Sequence, residues 1–413
     1  MKKTLLLCLL LVCAAWCADG QVPADGKWYG VYRMYDFPAY EKVRAPKGYR
    51  PVAISHYSRH GARYQDSENA YLKPLEPLLD GRSDGALTPL GESVCERLEI
   101  HARRSVDHRG ELSRRGWEQQ FRNAHLLHDA FPSVVSPEAE ITACSSFSQR
   151  CMMSMAAFSV GLEDADPRLQ VYAVTSRTLL DEVNPGDKAN VNYTPTQKKD
   201  SPWDLSYDKM LDAAVSASMA DSILLRLFKD TDYIRRHIPS PKNYCGSLYN
   251  LISGLACTGD GPVVDDLFTE KELFAFYQAI NYGFFEWSVL DSDKFKPILR
   301  QMAADARADL AAGHPTVRLR FGHDTCLLAI LHLLQAGDLG IIPEKAEDLP
   351  LTWNCYQTPM AGHFEWVFYR HRKSGDILVL PYLNGSPVPL QGLPAVNGHF
   401  YSWDDICHRI ASL

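Results

Sequence analysis

Short apolar, partly β-branched runs recur along this chain, and each is followed by a polar loop and then a helical pattern. Residues 51–57 (PVAISHY) read as a buried strand. Residues 139–146 predict a second strand running into a helix over 148–158. Residues 316–322 alternate and predict a third, followed by the apolar helix 326–334. Further helices are expected over 87–104 and from Ser113 onward, where Ser113 can cap the first turn. The runs 363–369 and 376–380 flank Lys373-Ser374-Gly375 and predict an antiparallel hairpin. Ser402-Trp403-Asp404-Asp405 reads as the capping pattern of a short final helix. Alternation of strand, loop and helix is the signature of an α/β fold.

The middle of the chain differs. Segments 206–229, 269–287 and 292–312 carry helical periodicity, with Asn/Pro/Gly-rich breaks at 184–204 and 239–262. The expected organisation is an α/β core from 21–175 and 310–413, interrupted by a mostly helical cap at 176–309. A length of 413 residues with 46% hydrophobic composition supports a core of this size. Residues 21–50, rich in Tyr, Pro and Gly, read as an irregular lead-in.

Lys2 and Lys3 precede an apolar run over 5–15 and a polar stretch at Asp19-Gly20-Gln21. This predicts an export signal over 1–20, too short to span a bilayer, and no other stretch is apolar enough to do so. Cys17 would suit lipid attachment, but bulky Trp16 directly precedes it. The mature chain is therefore expected to be exported, in a periplasm or outside the cell. Without Cys8, Cys13 and Cys17, eight of the 11 cysteines remain. An even count in an exported chain permits disulfides, and Cys245–Cys257, bracketing a Gly/Ser/Thr-rich segment, is the best pair. Buried free thiols are the competing reading for the others, Cys326 among them. No Cys/His spacing suggests a metal site, and no cofactor is expected. The net charge of −7 argues against a nucleic-acid partner, so an anionic substrate would need a local cationic pocket.

Such a pocket is readable at the strand ends. Arg59-His60-Gly61-Ala62-Arg63 follows the first strand, Arg150 follows the second, and His323-Asp324-Thr325 follows the third. Ligands of open α/β sheets bind outside the carboxyl ends of strands. Arginine forks suit phosphate oxygens, and a histidine with one unprotonated nitrogen can attack phosphorus. Gly61 is expected to allow a tight turn. Alone, Arg-His-Gly is a weak pattern; its companions give it weight. In this reading His60 is the nucleophile. Arg59, Arg63, Arg150 and a protonated His323 stabilise the equatorial oxygens, and Asp324 exchanges the proton with the leaving alcohol and then water. His56 is expected in the core or sheet, and His363, His371, His399 and His408 as surface or packing residues.

These motifs, with Gly110-Glu111-Leu112-Ser113-x-x-Gly116-x-x-Gln119 and Arg150-Cys151-x-x-Ser154, resemble the histidine acid phosphatase family over roughly residues 50 to 413. The resemblance implies a phosphoglycerate-mutase-like α/β core with a central mixed sheet flanked by helices and an inserted cap. It also implies a phosphohistidine mechanism and phosphomonoester substrates, often including phytate. By position it gives the nucleophile to His60, phosphate contacts to Arg59, Arg63, Arg150 and His323, and the proton donor to Asp324. The layout is most similar to the multiple inositol polyphosphate phosphatases, which typically carry His-Ala-Glu where this chain has His323-Asp324. The family's first motif usually ends Arg-x-Pro, whereas Tyr64-Gln65 follow Arg63. A broad-specificity acid phosphatase, a phosphomutase and a non-catalytic binder of phosphorylated ligands stay open as alternatives.

Overall fold

The computed structural model describes residues 26–259 and 261–413; the expected export signal lies outside them. One mixed sheet organises the molecule. Its strands are β1 (Tyr49–Arg59), β2 (Glu140–Ser145), β3 (Val171–Val174), β4 (Thr316–Gly322), β5 (His363–His371), β6 (Ile377–Leu383), β7 (Ser386–Pro387), β8 (Ala395–Val396) and β9 (Phe400–Ser402). The order is β3-β2-β4-β1-β5-β6-β9-β8, with β7 added beside β6. Strands β3, β2, β4 and β1 run parallel, while β5 and β6 continue the sheet antiparallel.

Helices of eight residues or more are α1 (Asn69–Ser83), α2 (Pro89–Ser105), α3 (Arg114–Ala130), α4 (Gln149–Ala165), α5 (Tyr207–Ala214), α6 (Ala217–Leu227), α7 (Pro241–Thr258), α8 (Glu270–Phe285), α9 (Lys296–Ala311), α10 (Asp324–Leu333) and α11 (Trp403–Ala411). Helices α3 and α4 cover one face of the sheet. There Leu127, Phe158 and Leu162 pack on Ile54, Ile141, Val317 and Val367. Helices α9 and α10 cover the other, with Met302, Leu327 and Ile330 in one apolar cluster with Ala53, Phe364 and Trp366. That cluster continues through Leu224, Leu248, Phe276 and Tyr282, so α6, α7 and α8 pack onto the same core. Between 176 and 309 the described chain is helix and loop.

Several expectations change. The 239–262 break is largely α7, which carries both Cys245 and Cys257. Twelve residues of helix separate them by about 18 Å, far beyond disulfide reach. Both are free, buried thiols. The 206–229 segment is two helices, α5 and α6, each started by a serine cap. Ser402 precedes α11 as expected but makes no side-chain capping bond. Strand β4 alternates, yet its arginines are half-buried or buried and ion-paired to α9. Arg318 pairs with Asp309 of α9 at 2.7 Å, and Arg320, fully buried, pairs with Asp305 at 2.6 Å. A parallel strand is covered on both faces, so its polar residues must find partners inside. No helix of the described residues is long and apolar enough to cross a membrane.

Candidate active site

The carboxyl ends of β1 and β4 are register partners, Arg59 beside Gly322, and β2 ends one strand away. The three expected motifs therefore meet at one edge. His60 is pinned through its backbone: its N–H donates to the Gly322 carbonyl, and its carbonyl accepts from Ala361 N–H.

The His60 ring is buried, and its Nδ1 lies 2.9 Å from the Gly61 carbonyl. A carbonyl only accepts, so Nδ1 carries the proton and Nε2 keeps its lone pair. Burial first, then the charges of Arg150, Arg59, His323 and Arg63, hold the imidazole pKa well below its ordinary value. A neutral imidazole is the nucleophilic form. The His60 and His323 rings meet edge-on with centroids 5.6 Å apart.

Arg59 is fully buried and anchored by its Nη1, which donates to the carbonyls of Val31 and Thr358 at 2.5 and 2.9 Å. Its Nη2 lies 2.8 Å from Asp324 Oδ2 but is not aligned for a hydrogen bond. Arg59 Nε, Arg63 Nε and Arg150 Nε are also buried without a hydrogen-bond partner. Unsatisfied buried guanidinium donors are costly, and an oxyanion is the natural complement for them. Among the described residues, no group of three or more His, Cys, Asp or Glu side chains is placed to hold a metal ion.

Asp324 opens α10. Burial raises its pKa, but Arg59, His323, the Thr325 backbone N–H and Arg63 together outweigh burial and hold the carboxyl below its ordinary value. Without substrate Asp324 is therefore an ion-paired carboxylate, not the protonated acid expected from the sequence. His323 Nε2 sits 3.1 Å from Ser146 Oγ and 3.8 Å from Cys151 Sγ, which fixes the ring at the β4 end.

Several solved structures share this fold. The Bifidobacterium longum multiple inositol polyphosphate phosphatase in complex with inositol hexasulfate matches at a TM-score of 0.74 and 17% identity, over 92% of this chain and 97% of that one. Its phosphate complex matches at 0.76 and 16%, over 94% and 98%. The chain has the histidine phosphatase fold. The phytase from D. castellii shares it at a TM-score of 0.70 and 13% identity, over 94% of this chain and 85% of that one. No family model and no curated protein sequence matches the chain.

Within this histidine phosphatase fold, several residues near the site carry roles not expected from the sequence. Asp66 lies 2.9 Å from Arg63 Nη2 and 3.3 Å from Arg150 Nη1, bridging two of the three arginines. Its only sequence signal is an acid three residues after Arg63. Ser113, besides capping α3, donates to the Ala62 carbonyl at 3.0 Å, and Gln119 accepts from Ala62 N–H at 2.9 Å. Ser154 accepts from Gly61 N–H at 3.0 Å. The motifs around Ser113 and Ser154 thus grip the His60 loop. Gly61 has no positive φ; it is glycine because α3 passes against it, where a Cβ would collide with the Gly116 backbone.

His56 is buried in the sheet as expected, its Nδ1 2.8 Å from Glu365 Oε1, which also accepts from Tyr40 Oη at 2.8 Å. His363 is buried beside them, its Nε2 3.8 Å from the same oxygen. Burial and then the charge of Arg320 lower the His56 pKa to about 3. Burial raises Glu365 to about 7. Below about pH 7 the group is a neutral hydrogen-bonded cluster.

Proposed function

We propose that this protein is a phosphomonoester hydrolase acting through a phosphohistidine, with inositol polyphosphates such as phytate as substrates. The observation that carries the reading is the buried His60 ring, its Nδ1 2.9 Å from the Gly61 carbonyl, with the charges of three arginines and His323 acting on it. Supporting it is the fold shared with the Bifidobacterium longum enzyme, whose solved complexes hold inositol hexasulfate and phosphate.

In this reading Arg59, Arg63, Arg150 and His323 take the phosphate oxygens. The unsatisfied Nε groups of the three arginines supply donors without breaking existing bonds. His60 Nε2 forms a bond to phosphorus in line with the departing ester oxygen. As the P–O bond breaks, that oxygen takes a proton from Asp324. Asp324 then removes a proton from water, whose oxygen attacks phosphorus. The P–N bond breaks, releasing orthophosphate and neutral His60.

Asp324 starts as a carboxylate, so its proton must enter with the substrate. A phosphomonoester has its second pKa near about 6 and arrives as a monoanion below that pH. Its negative charge also competes for Arg59, relaxing the pairing that depresses the Asp324 pKa. Both effects place the optimum on the acid side of neutrality. No step requires a metal. Residues 176–309 act as the cap over a core formed by 21–175 and 310–413, and residues 1–20 direct export.

The test is release of orthophosphate from phytate and from an aryl phosphate between about pH 3 and 8, spanning reference carboxyl and imidazole values. Chelator is present throughout, with His60→Ala as control. Acid-side release that survives chelation and vanishes in the variant supports the reading. Absence of release from either substrate by wild type overturns it.

A further inference from the structure

The opposite end of the sheet carries an unexplained cluster of positive charge. A cavity of about 430 Å³ opens there, with Arg50, Arg370, Arg372, His314 and Asp309 in its lining. Arg50 stands near the start of β1 and His60 just past its end. Ten residues of strand put the cavity roughly 30 Å from His60.

Its charges are arranged against their own repulsion. Arg50 and Arg370 are direct cross-strand partners in the antiparallel β1–β5 pairing. Like charges directly opposite each other destabilise a sheet. Among the described residues, Arg50, Arg370 and Arg372 have no carboxylate ion pair. Arg370 Nη2 donates to the Leu310 carbonyl, and its Nε is buried without a partner. The one carboxylate of the lining, Asp309, has both oxygens occupied by Arg318 at 2.7 and 3.0 Å. His314 faces Glu140, outside the lining, at a loose 3.9 Å.

Three guanidinium groups around one cavity, without an available internal counter-charge, match an oxyanion that accepts from several forks at once. A tetrahedral phosphate does this; a lone carboxylate engages one fork. We propose that the cavity is a second anion site that binds a phosphate group, free or carried on a small organic molecule. It is separate from the His60 site and does not depend on the proposed hydrolysis.

The experiment is a calorimetric titration of wild type and of the Arg50→Gln/Arg372→Gln double variant. Orthophosphate is one probe, and inositol hexasulfate, a stable organic polyanion, is the other. Both substituted residues are exposed, so the variant should fold; without anion its melting temperature should equal or exceed that of wild type. The expected result is one bound equivalent fewer in the variant. Loss seen with orthophosphate means that free phosphate suffices, and loss seen only with hexasulfate points to an organic ligand. Equal stoichiometry in both proteins with both probes overturns the proposal, as does a lower anion-free melting temperature in the variant. Phosphate release by the variant should match wild type, and absence of release by wild type would bear on the proposed function alone.

Discussion

Arg59 and Asp324, at the ends of two neighbouring parallel strands, form an ion pair of 2.8 Å in which the arginine is fully buried. The pair holds the proposed proton donor ionised until a substrate phosphate arrives. Asp324→Asn keeps the size of the side chain and removes its proton traffic. Its turnover of an alkyl phosphate such as phytate should fall about 10²–10⁴-fold. An aryl phosphate, whose leaving oxygen needs little protonation, should lose much less in the phosphorylation step. Values of kcat/KM on both substrates, which report the phosphorylation step and not the shared hydrolysis of the phosphohistidine, check this, and equal losses would assign Asp324 to binding.

Asp66 occupies Arg63 and Arg150, the groups proposed to receive phosphate. Substrate and product must compete with it. Asp66→Asn should lower both KM and the inhibition constant for orthophosphate. Because Asp66 is more than half exposed, solvent screening limits the effect to about 2–5-fold. Product-inhibition kinetics measure it. Weaker phosphate inhibition in the variant would mean that Asp66 instead holds the arginines in place.

Gly61 and Gly116 face each other so closely that a methyl group on either meets the opposing backbone. Gly61→Ala or Gly116→Ala must push α3 away from the His60 loop. Each should cost about 1–3 kcal/mol of stability, as overpacking does. Activity should fall further than stability, because the displaced segment carries the nucleophile. Urea unfolding beside phosphate-release rates tests both parts.

Glu365 and His56 give opposing pH dependences. Glu365 is raised from 4.5 to about 7, so its contribution to stability is fully present below pH 4.5 and is lost as pH rises through about 7. His56 is lowered from 6.5 to about 3; its contribution is present above 6.5 and lost as pH falls toward 3. Glu365→Gln removes the first effect and leaves the second. Its stability relative to wild type should therefore improve from pH 4.5 to pH 7, read by urea unfolding at both. A constant difference would mean that Glu365 titrates normally.

The strand–loop–helix units at β1, β2 and β4, and with them the positions of His60, Arg150 and His323–Asp324, are legible along the chain. Hydrophobic period, capping serines and strand-end loops depend on residues a few positions apart, so they can be read along the chain. Other features rest on contacts between residues distant in sequence and emerge only on folding. The asparagine, proline and glycine of residues 239–262 predict a break, yet burial against α6 and α8 makes most of it helix and separates Cys245 from Cys257. Glycine 61 looked like a turn residue, and the close passage of α3 is its actual reason. Asp66 and Arg150 meet across 84 positions, and Glu365 reaches His56 across a strand pair formed from the two ends of the chain. Sheet register and close packing create such contacts, and with them the charge environment that leaves His60 neutral and Asp324 ionised.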